Sequence, residues 1–120
     1  MKELKKIIER IKGNPRVIGI YLFGSLTKKE RKPISDMDIA VILKNWTKED
    51  EAEIGSHYSK SVDLVLFHRL PLFIQFEVFR YGKEIYVKDE DFILELKVRV
   101  LREYLENVRF YEFIKKETMK

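Results

Sequence analysis

Val17–Leu43 reads VIGIYLFGSLTKKERKPISDMDIAVIL, and this segment decides the fold. It opens with seven almost wholly apolar residues, Val17 to Phe23, rich in β-branched and aromatic types. Such a run predicts a strand buried on both faces. Gly24-Ser25 stops it, and a polar, charged stretch through Pro33 predicts a loop. Asp36 to Leu43 (DMDIAVIL) predicts a second strand, entered through two carboxylates.

The flanks complete the pattern. Leu4, Ile7, Ile8 and Ile11 recur at helical spacing, which predicts a helix over 2–12 ended by Gly13-Asn14-Pro15. Residues 44–59 are polar and predict a loop or short helix. Ser61 to Phe67 (SVDLVLF) predicts a third strand with one carboxylate inside it. Leu70-Pro71 opens a helix through Tyr81, and Gly82 ends it. Glu84 to Val87 predicts a short edge strand. Asp89 to Lys116 predicts a long helix with acids at its positive N-terminal end. Helices and strands alternate, so the expected class is α/β (α+β): a small mixed sheet of three to four strands packed by helices, with a long C-terminal helix. With 120 residues, one domain over 1–120 is expected, its core at 3–88 and its last helix at 89–116.

Composition narrows the function. Cysteine is absent, which excludes disulfides, thiol nucleophiles and cysteine zinc sites and points to the cytoplasm. No apolar run approaches the roughly 20 residues of a membrane span. Net charge is +4, unevenly placed: residues 1–33 hold ten Lys/Arg against three Asp/Glu. A basic first third suits a polyanion such as a nucleoside triphosphate or a nucleic acid, and equally a solvated helix face.

Asp36 and Asp38 sit two apart on the second strand, so both carboxylates leave one face, with Cα atoms about 7 Å apart. Like charges so placed repel unless a cation lies between them. Asp63 adds a third carboxylate in an apolar strand, where burial without a partner is costly. Mg²⁺ among the three is the simplest reading. After the first strand, Gly24 lets the backbone approach a ligand and Ser25 adds a hydroxyl donor. A phosphate cradle beside a carboxylate triad is equipment for two-metal phosphoryl chemistry.

Gly24-Ser25, then Asp36-Met37-Asp38, then Asp63 in a later strand resembles the signature of the DNA polymerase β-like nucleotidyltransferase superfamily, and over residues 3–88 the chain is similar to its minimal nucleotidyltransferases. The resemblance implies the nucleotidyltransferase fold. It implies that Asp36, Asp38 and Asp63 hold two Mg²⁺ ions, that Asp63 helps deprotonate the acceptor hydroxyl, and that Gly24 and Ser25 hold the nucleotide phosphates of ATP or another NTP. Many members carry Arg-Gly soon after the Gly-Ser pair. Here the stretch is Leu26-Thr27-Lys28-Lys29-Glu30, so Lys28, Lys29 or Arg31 stands in for that charge. The resemblance also implies a partner, a HEPN-type ribonuclease toxin whose tyrosine receives AMP, with this chain as antitoxin.

Two rival readings remain at this stage. One is a non-catalytic antitoxin that neutralises a toxin by complex formation. The other is a nucleic-acid-binding module using the basic first third, which the acidic cluster disfavours. Among other residues, His57 and His68 are expected in loops, His68 within reach of the site. Trp46 and Tyr58 flank the segment where a base would stack, with packing as the plainer role. On the last helix Leu96, Val100, Tyr104, Leu105, Val108 and Tyr111 form an apolar face expected to go mostly to core packing, and Phe110 and Phe113 are a surplus suited to a partner helix.

Overall fold

The computed structural model describes residues 2–23, 37–57 and 62–118. In chain order it holds α1 (Lys2–Lys12), β1 (Val17–Phe23), β2 (Met37–Leu43), α2 (Lys48–Gly55), β3 (Val62–Leu66), a single 3-10 turn (Phe67–Arg69), α3 (Leu72–Tyr81), β4 (Lys83–Val87) and α4 (Glu90–Thr118). The strands form one mixed sheet in the order β3-β2-β1-β4. β1 pairs antiparallel with β2 and with β4, and β2 pairs parallel with β3. The fold is therefore α/β, with the mixed sheet and long last helix expected. β4 is an edge strand, as its length predicts.

Helices cover both faces. On one, Ile7, Ile8 and Ile11 of α1 and Ile54 of α2 pack on Val17, Ile20, Ile39, Val41 and Leu43. On the other, Val78 of α3 and Ile93, Leu96 and Val100 of α4 pack on Tyr21, Ala40 and Ile42. β1 and β2 are sandwiched, which is why their runs lack polar alternation.

Local chemistry sets the boundaries. Asn14, buried after α1, donates to Asp50 Oδ1 at 3.3 Å while its own Oδ1 accepts from Arg16 N at 2.9 Å. Thr47 and Asp50 form a reciprocal capping box at the start of α2. β3 ends one residue earlier than expected. Phe67 instead opens the 3-10 turn, closed by Leu70 N donating to Phe67 O at 3.1 Å, and its ring is buried. Asp89 lies just outside α4, accepting from Phe92 N at 3.0 Å and from Lys44 Nζ at 3.0 Å. Those two contacts, the backbone one first, hold its carboxyl below the usual range. α4 then runs to Thr118, two residues past the expected end. Among the described residues, no helix is long and apolar enough to cross a membrane.

Candidate active site

The parallel pairing of β2 with β3 brings two expected site residues together. Asp38 and Asp63 are direct partners in the register, and Phe23 of β1 faces Asp38 from the other side. In-register neighbours on adjacent strands share a face and stand roughly 4.8 Å apart. The face is the one that carries α3 and α4, because Ala40, Ile42 and Val65 at alternate positions belong to that core. Both carboxylates stand near the N-terminal ends of their strands, beside the C-terminal end of β1. Asp38 is half-buried and Asp63 exposed.

That exposure corrects one expectation. Asp63 was expected to be a costly buried charge in an apolar strand. β3 is a sheet edge and Asp63 lies near its open end, so water reaches the carboxylate. Register with Asp38, rather than burial, is what sets Asp63 apart.

Asp36, Gly24, Ser25, Lys28, Lys29 and Arg31 lie outside the described residues. Their sequence positions fall in the connection between β1 and β2, which starts and ends at the Phe23–Asp38 pair. Among the described residues no three His, Cys, Asp or Glu side chains gather into a metal site. The pair that is described offers hard carboxylate oxygens, the donor type Mg²⁺ takes, and adjacent negative charges that a cation relieves.

The other residues weighed from sequence sit elsewhere. Trp46 and His68 follow the C-terminal ends of β2 and β3, the opposite end of the sheet from Asp38 and Asp63. Their rings stack at 4.0 Å and 11°. His68 Nε2 lies 2.9 Å from Glu51 Oε2, and Arg69 forks onto the same carboxylate with Nε at 2.8 Å and Nη2 at 2.9 Å. Arg69, then His68, pull the Glu51 carboxyl down to about 2. This cluster fastens α2 to the 3-10 turn, so Trp46 packs there and His68 does not approach the carboxylates. His57 Nε2 lies 3.6 Å from Glu53 Oε2 on α2, and Tyr58 is outside the described residues.

The end of α3 reaches the carboxylate end of the sheet. A Cβ placed on Gly82 would stand 3.2 Å from Leu22 O, which fixes that approach. Arg80 there lies over the rings of Phe76 and Tyr81 at 5.9 and 5.0 Å.

A mixed sheet presenting two carboxylates in register at one end, beside a strand whose sequence continues into Gly24-Ser25, defines a class, and residues 5–91 match the Polymerase beta, Nucleotidyltransferase family. The chain belongs to that family. A proposed protein adenylyltransferase of Methanocaldococcus jannaschii is 34% identical over 73 residues, which are 59% of this chain and 57% of that protein. The match thus spans little more than half of that curated relative. Among solved structures, a chain of the MntA–HpeT toxin–antitoxin pair, in a form with two Asp→Glu substitutions, is 25% identical, covers 100% of both chains and superposes with a TM-score of 0.71. A chain of the complex of the tri-AMPylated Shewanella oneidensis HEPN toxin with its MNT antitoxin shares the fold, at 24% identity, 99% and 98% coverage and a TM-score of 0.67.

Proposed function

We propose that this protein is a Mg²⁺-dependent protein adenylyltransferase: it moves AMP from ATP to a hydroxyl, a tyrosine of a HEPN-type toxin, and so acts as the antitoxin of a cytoplasmic pair. The observation that carries the reading is the Asp38–Asp63 register on one sheet face at the end where β1 stops. Membership of the nucleotidyltransferase family supports the reaction class. The 34% identity to a proposed protein adenylyltransferase supports AMP and a protein acceptor. The end-to-end likeness to a chain of a toxin–antitoxin pair supports the partner.

In this reading Asp36, Asp38 and Asp63 would hold two Mg²⁺ ions, which would supply positive charge to the triphosphate. Gly24 and Ser25 bind the phosphate oxygens, and Lys28 and Lys29 add positive charge beside them. Asp63, exposed on the edge strand, is open to an incoming acceptor. Its carboxylate takes the proton of the acceptor hydroxyl as that oxygen bonds to the α-phosphorus. The bond from the α-phosphorus to the β-phosphate oxygen breaks, and pyrophosphate leaves.

The test is transfer of label from α-labelled ATP, with Mg²⁺, to a HEPN-type toxin protein. Wild type should label it. Asp38→Asn and Asp63→Asn should each lower the rate at least about 100-fold while the fold is retained. Label on the partner that is indifferent to both substitutions would sink the assignment.

A further inference from the structure

The chain has six tyrosines, and their placements differ. Tyr58 lies outside the described residues. Tyr21 is 2% exposed, and its hydroxyl donates to Glu84 Oε1 at 3.1 Å. Burial, then Glu84, push that phenol well above its ordinary range, so it stays protonated and out of reach. Tyr86 packs with the α1 core on the opposite face of the sheet from the carboxylates, under the Lys12 ammonium at 4.9 Å. Tyr104 lies flat on Phe76. Tyr111 is exposed, but it lines a groove with Leu72 and Phe73 at the start of α3.

Tyr81 stands at the other end of α3, as its last residue, and is 50% exposed. The next residue, Gly82, comes so near Leu22 O that a Cβ there would lie 3.2 Å from it. Leu22 adjoins Phe23, the register partner of Asp38. α3 packs on the sheet face that carries Asp38 and Asp63. Tyr81 therefore shares both the face and the end of the sheet with the two carboxylates, its Cα within about 15 Å of the Asp38 Cα. A tyrosine side chain and a bound nucleotide bridge that span together. Beside the ring, the exposed Arg80 guanidinium lies 5.0 Å from its centre. Such a planar donor fork binds phosphate oxygens, and here it would hold the α-phosphate next to the phenol.

We propose that Tyr81 is a self-acceptor: the chain transfers AMP to its own Tyr81 hydroxyl, within one molecule. The proposal rests on the nucleotidyl-transfer reading of the Asp38–Asp63 site. Tyr81 Oη bonds to the α-phosphorus of ATP as the bond from that phosphorus to the β-phosphate oxygen breaks. Pyrophosphate leaves, and the phenolic proton passes to the Asp63 carboxylate and on to water. The product is a phosphodiester on the last turn of α3.

The test is the intact mass of the purified chain after incubation with ATP and Mg²⁺, alone and with a HEPN-type toxin protein. Alone, wild type should gain one AMP unit, and fragment spectra should place it on Tyr81. The half-time should stay constant when the protein is diluted, as a step within one molecule requires. Tyr81→Phe should gain nothing, keep the wild-type circular dichroism and label the toxin at the wild-type rate. Asp38→Asn should label neither. A labelled toxin beside an unmodified wild-type chain overturns this proposal alone. No label on either protein overturns the transferase reading with it. An adduct mapped to another residue, retained by Tyr81→Phe, or forming more slowly on dilution also overturns the proposal.

Discussion

Asp38 and Asp63 lie 25 positions apart in sequence and meet only because β2 and β3 run parallel in a particular register. The acidic character of each position is legible in the sequence; their pairing is not. Register between two parallel strands depends on a non-local crossover, and a slip by one residue would turn Asp63 to the opposite face. The exposure of Asp63 was hidden for a related reason, since only the strand order puts β3 at an edge. Trp46 and His68 show the converse. They are close in space to each other and far from the carboxylates, although in sequence His68 stands just five positions after Asp63. Their cluster yields a pH prediction. Glu51 has its folded pKa depressed from 4.5 to about 2 by Arg69 and His68. A depressed carboxyl stabilises the fold fully above its unfolded pKa and stops doing so as pH falls through the folded one. Wild type should therefore lose this contribution between about pH 4.5 and pH 2. The gap in denaturant midpoint between wild type and Glu51→Gln should narrow over that window. A gap that stays constant from pH 6 to about pH 2 contradicts the assignment.

At the level of elements, the periodic segments were legible nearly to the residue. α1, β1 and β4 appear where their patterns place them, because an apolar stripe at helical spacing or an unbroken β-branched run has few other ways to be buried. What pattern alone does not settle is which stripe of α4 meets the sheet. Leu94, Val98 and Leu101 are as apolar as Ile93, Leu96 and Val100, and only packing separates them. Gly19 is part of that packing. A Cβ on it would stand 2.9 Å from the terminal methyl of Ile93, so Gly19 leaves the room that this side chain fills on β1. Gly19→Val should cost about 1–3 kcal/mol of unfolding free energy by displacing Ile93. Urea denaturation checks it, and an unchanged midpoint would show that α4 does not rest on this position. Ile11, fully buried between α1 and the sheet, should cost about 2–5 kcal/mol as Ile11→Ala.

At the scale of the whole molecule, the Cα radius of gyration is 16.2 Å, against about 13.6 Å for a compact chain of this length. The longest dimension is 55 Å. The excess is α4: its 29 residues run about 43 Å, and beyond Tyr104 they are mostly exposed. Residues 92–118 also lie past the family-matched segment. Shortening the chain after residue 106 should lower the radius of gyration from small-angle scattering by a few ångström and leave thermal unfolding nearly unchanged. A large fall in the unfolding midpoint would mean that the far half of α4 is part of the core.

The measurement that bears most directly on the central claim is the intact mass of a HEPN-type toxin protein after co-expression with this chain. Wild type should leave it heavier by whole AMP units on tyrosine, and Asp38→Asn or Asp63→Asn should leave it unmodified. An unmodified partner with wild type, or the same adduct with Asp63→Asn, would contradict the account.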